Sequence, residues 1–155
     1  MGLGGSATGT FPVSDACRFC QILQGAVPAH LVWEDASCAA FLDHRPLFPG
    51  HTLLVPRRHF ETLGDLPEQL VAPLFGNARL LARAVELAMG AEGTFVAINN
   101  RVSQSVPHLH VHIVPRRHKD GLRGFFWPRQ KYESDEAAAR VAEAIRQAIA
   151  SVRSR

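Results

Sequence analysis

Between Ser105 and Pro115 the chain alternates histidine with aliphatic residues: His108, Leu109, His110, Val111, His112, Ile113. Strict alternation is a strand signal, because successive side chains of a strand point to opposite faces. The three imidazoles then line one face, and Leu109, Val111 and Ile113 line the other. Neutral imidazole is a nucleophile near pH 7, and neighbouring imidazoles depress one another's pKa by like-charge repulsion. One histidine on a strand is ordinarily a satisfied structural residue. Three in register between Gln104-Ser105 and Pro115-Arg116 point to phosphate chemistry. Cys17 and Cys20 have the spacing of a metal knuckle. Shared with two histidines, they would make a closed, structural Zn²⁺ site, although the cysteines alone do not say which histidines. Cys38, inside an apolar run, reads as a plain core residue.

Several elements must position these groups. Ser14-Asp15 can cap a short helix over Cys17–Gln24, which Gly25 ends. His30–Glu34 and Cys38–Asp43 read as a hairpin around Asp35-Ala36-Ser37. Thr52–Val55 is a third strand, ended by Pro56. Pro67–Met89 carries a helical stripe at Leu70, Leu74, Leu81, Val85 and Leu87, stopped by Gly90, with Pro73 and Gly76 weakening its first half. Thr94–Asn99 is a fourth strand, and the loop Asn100–Gln104 leads into the histidine strand. Ser134 caps a last helix whose buried stripe is Val141, Ile145, Ala148, Ile149 and Val152. The expected class is α+β: a mainly antiparallel five-stranded sheet packed with a long crossover helix and a C-terminal helix.

The 155 residues suit one domain with a substantial core. We read residues 1–13 as a flexible tail and 14–155 as a single domain. With 46% hydrophobic and 20% charged residues, the chain has a globular composition. No apolar run is long enough to span a bilayer, and the Gly- and Ser-rich start lacks the features of a signal peptide, so a cytoplasmic protein without membrane attachment is expected. Three cysteines, an odd number, do not form a disulfide framework. The net charge of +3 gathers at Arg57-Arg58, Arg116-Arg117 and Arg123–Lys131, beside the motifs, where it would draw anionic substrates.

The His-x-His-x-His run, with Cys17-Arg18-Phe19-Cys20-Gln21-Ile22, Phe41-Leu42-Asp43, Pro49–His59 and Asn99, resembles the histidine triad (HIT) family of nucleotide hydrolases and transferases over roughly residues 16–130. The resemblance implies the HIT-like fold and assigns roles. His110 becomes the nucleophile that attacks the α-phosphorus and forms a nucleotidyl-histidine, which water then releases. His112 donates to the non-bridging oxygens. His51 stands beside the triad as a fourth histidine, and Ser105 and Gln104 reach leaving-group or phosphate oxygens. Asp43 takes the ribose, Phe41 and Leu42 border the base slot, and Asn99 supplies an amide on the phosphate or ribose side. Zinc-bearing members imply that His59 and His108 complete the metal site with Cys17 and Cys20. Homodimers are common in the family. Many members carry a Gly-rich loop before the Gln-Ser pair; this chain has Asn100-Arg101-Val102-Ser103 instead, with Arg101 a charged substitute or a solvent-facing residue.

The expected substrate is a purine nucleotide of AMP type, a dinucleoside polyphosphate or a nucleoside phosphoramidate. A phosphorylase would use the same intermediate and discharge it to phosphate. A nonenzymatic nucleotide sensor would not need the central histidine. Removal of adenylate from nucleic-acid ends fits the basic patches, but no DNA-binding motif follows the domain, which argues against nucleic acid. The segment Asp120–Arg129 is expected to cap the core or a subunit contact with its aromatics, and Arg123 or Arg129 could hold a distal phosphate.

Overall fold

A computed structural model describes residues 15–122 and 130–154, apart from the side chains of residues 149, 152 and 153. These fall into two compact units that divide between Asp120 and Gly121. The first contains α1 (Arg18–Leu23), β1 (Leu31–Glu34), β2 (Cys38–Leu42), β3 (Thr52–Pro56), a short 3-10 turn at Leu63–Asp65, α2 (Glu68–Met89), β4 (Gly93–Ile98) and β5 (Val111–Arg116). The strands form one sheet in the order β1-β2-β3-β5-β4, with every neighbouring pair antiparallel. The expected α+β architecture is present, with α2 as the crossover between β3 and β4.

Alternation along the strands sorts the core into two faces. Cys38, Ala40, Leu54, Leu109, Val111 and Ile113 pack with Leu74, Ala78, Leu81 and Val85 of α2. Phe41, Leu53 and Val55 point the other way and pack with Cys17, Phe19, Cys20 and Ile22 of the α1 segment. Both faces are therefore covered, and the histidines lie on the α1 side. At the β1–β2 turn, burial alone would raise the Asp35 carboxyl, but hydrogen bonds from Asn77, Ser37 and Cys38 hold it at about 2. The Asn77 amide donates to it at 2.7 Å, tying the hairpin to α2.

Three local expectations are corrected. The regular histidine strand begins at Val111, so His108 and His110 lie in an irregular lead-in. There Leu109 N–H donates to the Phe60 carbonyl at 2.6 Å and His108 N–H turns back to Val106, interactions that replace the strand ladder. Cys17, with no side-chain bond, caps α1 in place of Ser14 or Asp15. Leu87 is 85% exposed. The buried face of α2 instead runs through Leu74, Asn77, Ala78, Leu81 and Val85, six residues of helix having turned Leu87 away from the Leu81 line. The helix runs through Pro73, whose missing N–H removes one backbone bond from its first half, as expected. Leu74→Ala is expected to cost about 2–5 kcal/mol and Leu87→Ala within about 0.5 kcal/mol, as read by urea denaturation.

In the second unit, α3 (Asp135–Arg153) starts as expected, with Ala137 N–H donating to the Ser134 hydroxyl at 3.1 Å. Its expected buried stripe is not covered: Val141, Ile145 and Ala148 are exposed. The side chains of residues 149 and 152, and all of 123–129 with the expected aromatic cap and the two arginines, lie outside the described residues. Among the described residues, no helix is long and apolar enough to cross a membrane.

Candidate active site

The β2–β3 hairpin builds one side of the site. Its last ladder pair is Leu42 with Thr52, and the next bond runs from Asp43 N–H to the His51 carbonyl at 2.9 Å. Asp43 and His51 are thereby held face to face, with Asp43 Oδ2 3.7 Å from His51 Nδ1. The chain reaches His51 through Gly50 at φ +96°, where a Cβ would stand 2.6 Å from the Met89 side chain. Only glycine meets both the positive φ and that close approach.

Hydrogen bonds assign the protons on the histidines. His110 Nδ1 lies 2.7 Å from the His108 carbonyl, an acceptor, so Nδ1 carries the proton and Nε2 keeps its lone pair. Leu47 N–H donates to His51 Nδ1 at 3.1 Å, which puts the His51 proton on Nε2. That Nε2 is 3.0 Å from His112 Nδ1, so His112 accepts there and bears its own proton on Nε2. The rings of His110 and His112 are 4.8 Å apart at 65°. The outcome is that the lone pairs of His51 Nδ1 and His112 Nδ1 are engaged by donors, whereas the lone pair of His110 Nε2 stands beside the N–H of His112.

This pattern requires neutral rings, and burial supplies them. Burial pushes His112 down to about 4, with the neighbouring His110 and His51 adding to the effect. Burial also lowers His110 and His51, against the pull of the Asp43 carboxylate. Their folded pKa values lie below the unfolded value of 6.5, so the unfolded chain takes up protons first on acidification. Stability from this cluster is full above about 6.5 and lost as pH falls toward about 4. Thermal melts across that window should show Tm falling with pH, less steeply in His112→Asn. A Tm that rose on acidification would contradict the neutral relay.

Phe19 and Phe41 close the site from the α1 side. The Phe19 ring meets His110 edge-on at 5.1 Å and Phe41 at 5.3 Å. Beside them a cleft of about 460 Å³ is lined by Asp43, Phe41, Leu42 and Phe19, among others. Of these, Phe41 is buried and Leu42 is exposed. Reading the sequence gave Phe19 no role. Its place between the two cysteines, on a helix too short to have a core of its own, was the available signal.

The remaining expected residues divide. Gln104 is engaged at both ends of its amide: Oε1 accepts from Arg101 N–H at 2.7 Å and Nε2 donates to the Glu61 carbonyl at 2.6 Å. It organises the loop before the triad. Arg101 and Ser103 there have φ of 65° and 60°, the conformation a glycine would favour, so the loop keeps a glycine-like path without glycines. Ser105 is exposed in the lead-in to the triad, and Asn99 is half-buried just beyond β4.

Cys17, Cys20, His59 and His108 converge on the far side of the triad. Their ligand atoms all lie within 4.8 Å of one another. Cys17 Sγ is 3.5 Å from His108 Nδ1, and Cys20 Sγ is 3.3 Å from His59 Nδ1 and 3.6 Å from His108 Nδ1. Tetrahedral zinc with ordinary bond lengths requires sulfur–nitrogen edges of about 3.6 Å. His108 Nε2 lies 2.9 Å from the Pro56 carbonyl, so it carries the proton and leaves Nδ1 as a ligand nitrogen. Burial brings His108 down to about 4, which favours the neutral form a metal binds. The donor set fits zinc.

A family model for the HIT domain matches residues 24–119. Adenylylsulfatase HINT3 of Arabidopsis thaliana is 31% identical over 143 residues, covering 88% of this chain and 71% of the relative. Adenosine 5'-monophosphoramidase HNT1 of Saccharomyces cerevisiae is 31% identical over 124 residues, covering 78% and 75%. The solved structure of a Zn-bound histidine triad family protein from Mycobacterium smegmatis superposes with a TM-score of 0.66 at 34% identity, covering 88% of this chain and 97% of that one. The family match over the sheet and the triad, together with these likenesses, makes the chain a member of the HIT domain family.

Proposed function

We propose that the protein is a nucleotide hydrolase or transferase acting at the α-phosphate of a purine nucleotide ester, anhydride or phosphoramidate through a nucleotidyl-histidine. The observation that carries this reading is the 2.7 Å contact of His110 Nδ1 with the His108 carbonyl, which leaves Nε2 as the nucleophile. Nε2 attacks the α-phosphorus, a P–N bond forms, and the bond to the leaving group breaks. Water then attacks phosphorus, the P–N bond to His110 breaks with its electron pair returning to Nε2, and the mononucleotide departs. His112 Nε2–H donates to a non-bridging oxygen as charge builds on it. Asp43 accepts from the ribose hydroxyls, and the base enters the cleft between Phe41 and Leu42. Ser105 contacts a leaving-group or phosphate oxygen, Asn99 supplies an amide on the phosphate or ribose side, and Gln104 shapes the loop between them.

Two relatives support the substrate class, being named for an adenylylsulfatase and an adenosine 5'-monophosphoramidase. Zinc held by Cys17, Cys20, His59 and His108 would supply a closed cross-link and no activated water. A homodimer in the cytoplasm is the expected working form. The test is product analysis by liquid chromatography with adenosine phosphoramidate, adenosine 5'-phosphosulfate and diadenosine tri- and tetraphosphate, with and without phosphate. AMP release supports the reading. ADP formed only with phosphate would make the protein a phosphorylase, and AMP binding without turnover of any substrate would make it a sensor.

A further inference from the structure

The cleft beside the nucleophile is not uniformly apolar. Phe19, Ile22, Phe41 and Leu53 contribute its walls, while Arg18, His30 and His44 also line it and are exposed; of these three only Arg18 carries two parallel donors. Apolar walls accept the faces of any base and distinguish purines poorly. Discrimination falls to polar groups that meet the edge of the base. His44 Nδ1 lies 3.7 Å from Asp43 Oδ1, so His44 stands at the Asp43 end of the cleft, the ribose end. Arg18, the first residue of α1, is on the element that carries the Phe19 and Ile22 walls. Among the described residues no carboxylate pairs with it.

A guanidinium offers donors in a planar fork and no acceptor. Guanine and hypoxanthine present O6 and N7 side by side, two acceptors that match the fork. Adenine presents N7 beside an N6 amine, which sets a donor against a donor. We propose that Arg18 reads the edge of the bound base and selects 6-oxopurine nucleotides over adenine nucleotides. This deepens the nucleotide reading above and rests on it. Adenine nucleotides still enter the slot, held by its walls and by Asp43, without the bidentate contact.

The test is calorimetric binding of GMP, IMP and AMP to the purified wild type, to Arg18→Leu and to Arg18→Lys, with turnover of the three matching nucleoside 5'-phosphoramidates in parallel. GMP and IMP should each bind about tenfold more tightly than AMP to the wild type. That ratio should fall toward one in Arg18→Leu and lie between in Arg18→Lys, which keeps the charge but not the fork. A wild-type ratio of one overturns the proposal without recourse to any variant. So does a ratio that Arg18→Leu leaves unmoved, or an equal loss for all three bases, the signature of stacking on the base face. Selective binding with no turnover would remove the hydrolase reading and leave the base selection standing. Turnover of all three at equal kcat/KM would do the reverse. Failure to bind any of the nucleotides would overturn both.

Discussion

His110→Asn is expected to lower kcat/KM by about 10⁴-fold or more for every substrate the wild type hydrolyses. Asparagine is the informative replacement because its amide N–H can still donate to the His108 carbonyl, which His110 Nδ1 meets at 2.7 Å. The nucleophilic nitrogen is lost while the buried contact remains, so the loss of rate is not a loss of fold. Intact mass spectrometry of quenched wild type should show a mononucleotide adduct that the variant never forms. His112→Asn should cost less, about 10²–10³-fold, since it removes a donor to the developing charge and not the bond-forming atom. If His110→Asn kept more than about a tenth of the activity, the covalent route would be abandoned.

Zinc removal should produce the largest effect on stability. Chelation, or Cys20→Ser, is expected to cost about 3 kcal/mol or more, roughly 10 °C in Tm for a chain of this size. Cys20 is fully buried, and its Sγ lies 3.3 Å and 3.6 Å from the two histidine nitrogens. Without the cation, two thiols and two imidazoles would have only weak sulfur–nitrogen contacts with one another in place of four metal bonds. Metal analysis of protein purified without added zinc, followed by calorimetry with and without chelator, checks this. Less than about a tenth of an equivalent, with Tm unmoved by chelator, would remove zinc from the account. Because the His108 carbonyl also holds His110, a bound metal's loss should lower kcat as well as Tm.

The alternation of His108–Ile113 announced a two-faced element because period-2 chemistry survives wherever one face is apolar, and Leu109, Val111 and Ile113 are indeed fully buried on the α2 side. It did not announce where regular pairing begins, since that depends on Phe60, remote in sequence, offering its carbonyl to Leu109. The closeness of Cys17 and Cys20 was legible for a similar reason: two candidate ligands at the start of one short helix are local. The tautomers were not, because they are set by backbone groups of Leu47, Pro56 and His108 that no residue type encodes. The present partners of the Gln104 amide, Arg101 N–H and the Glu61 carbonyl, were not legible either, because both are backbone groups. Leu87 failed as a core residue because an i, i+2 neighbour of Val85 cannot share its helix face.

His108 joins the Cys17 thiol, 91 positions away, and the Pro56 carbonyl, 52 positions away, to the carbonyl that orients its own neighbour two residues on. Contacts of such sequence separation form late, after the intervening loops have closed. A partly folded chain therefore carries all its histidines without the contacts that orient His108 and, through its carbonyl, His110. The arrangement of the site's histidines arrives with the last long-range closures, and an incomplete molecule lacks it.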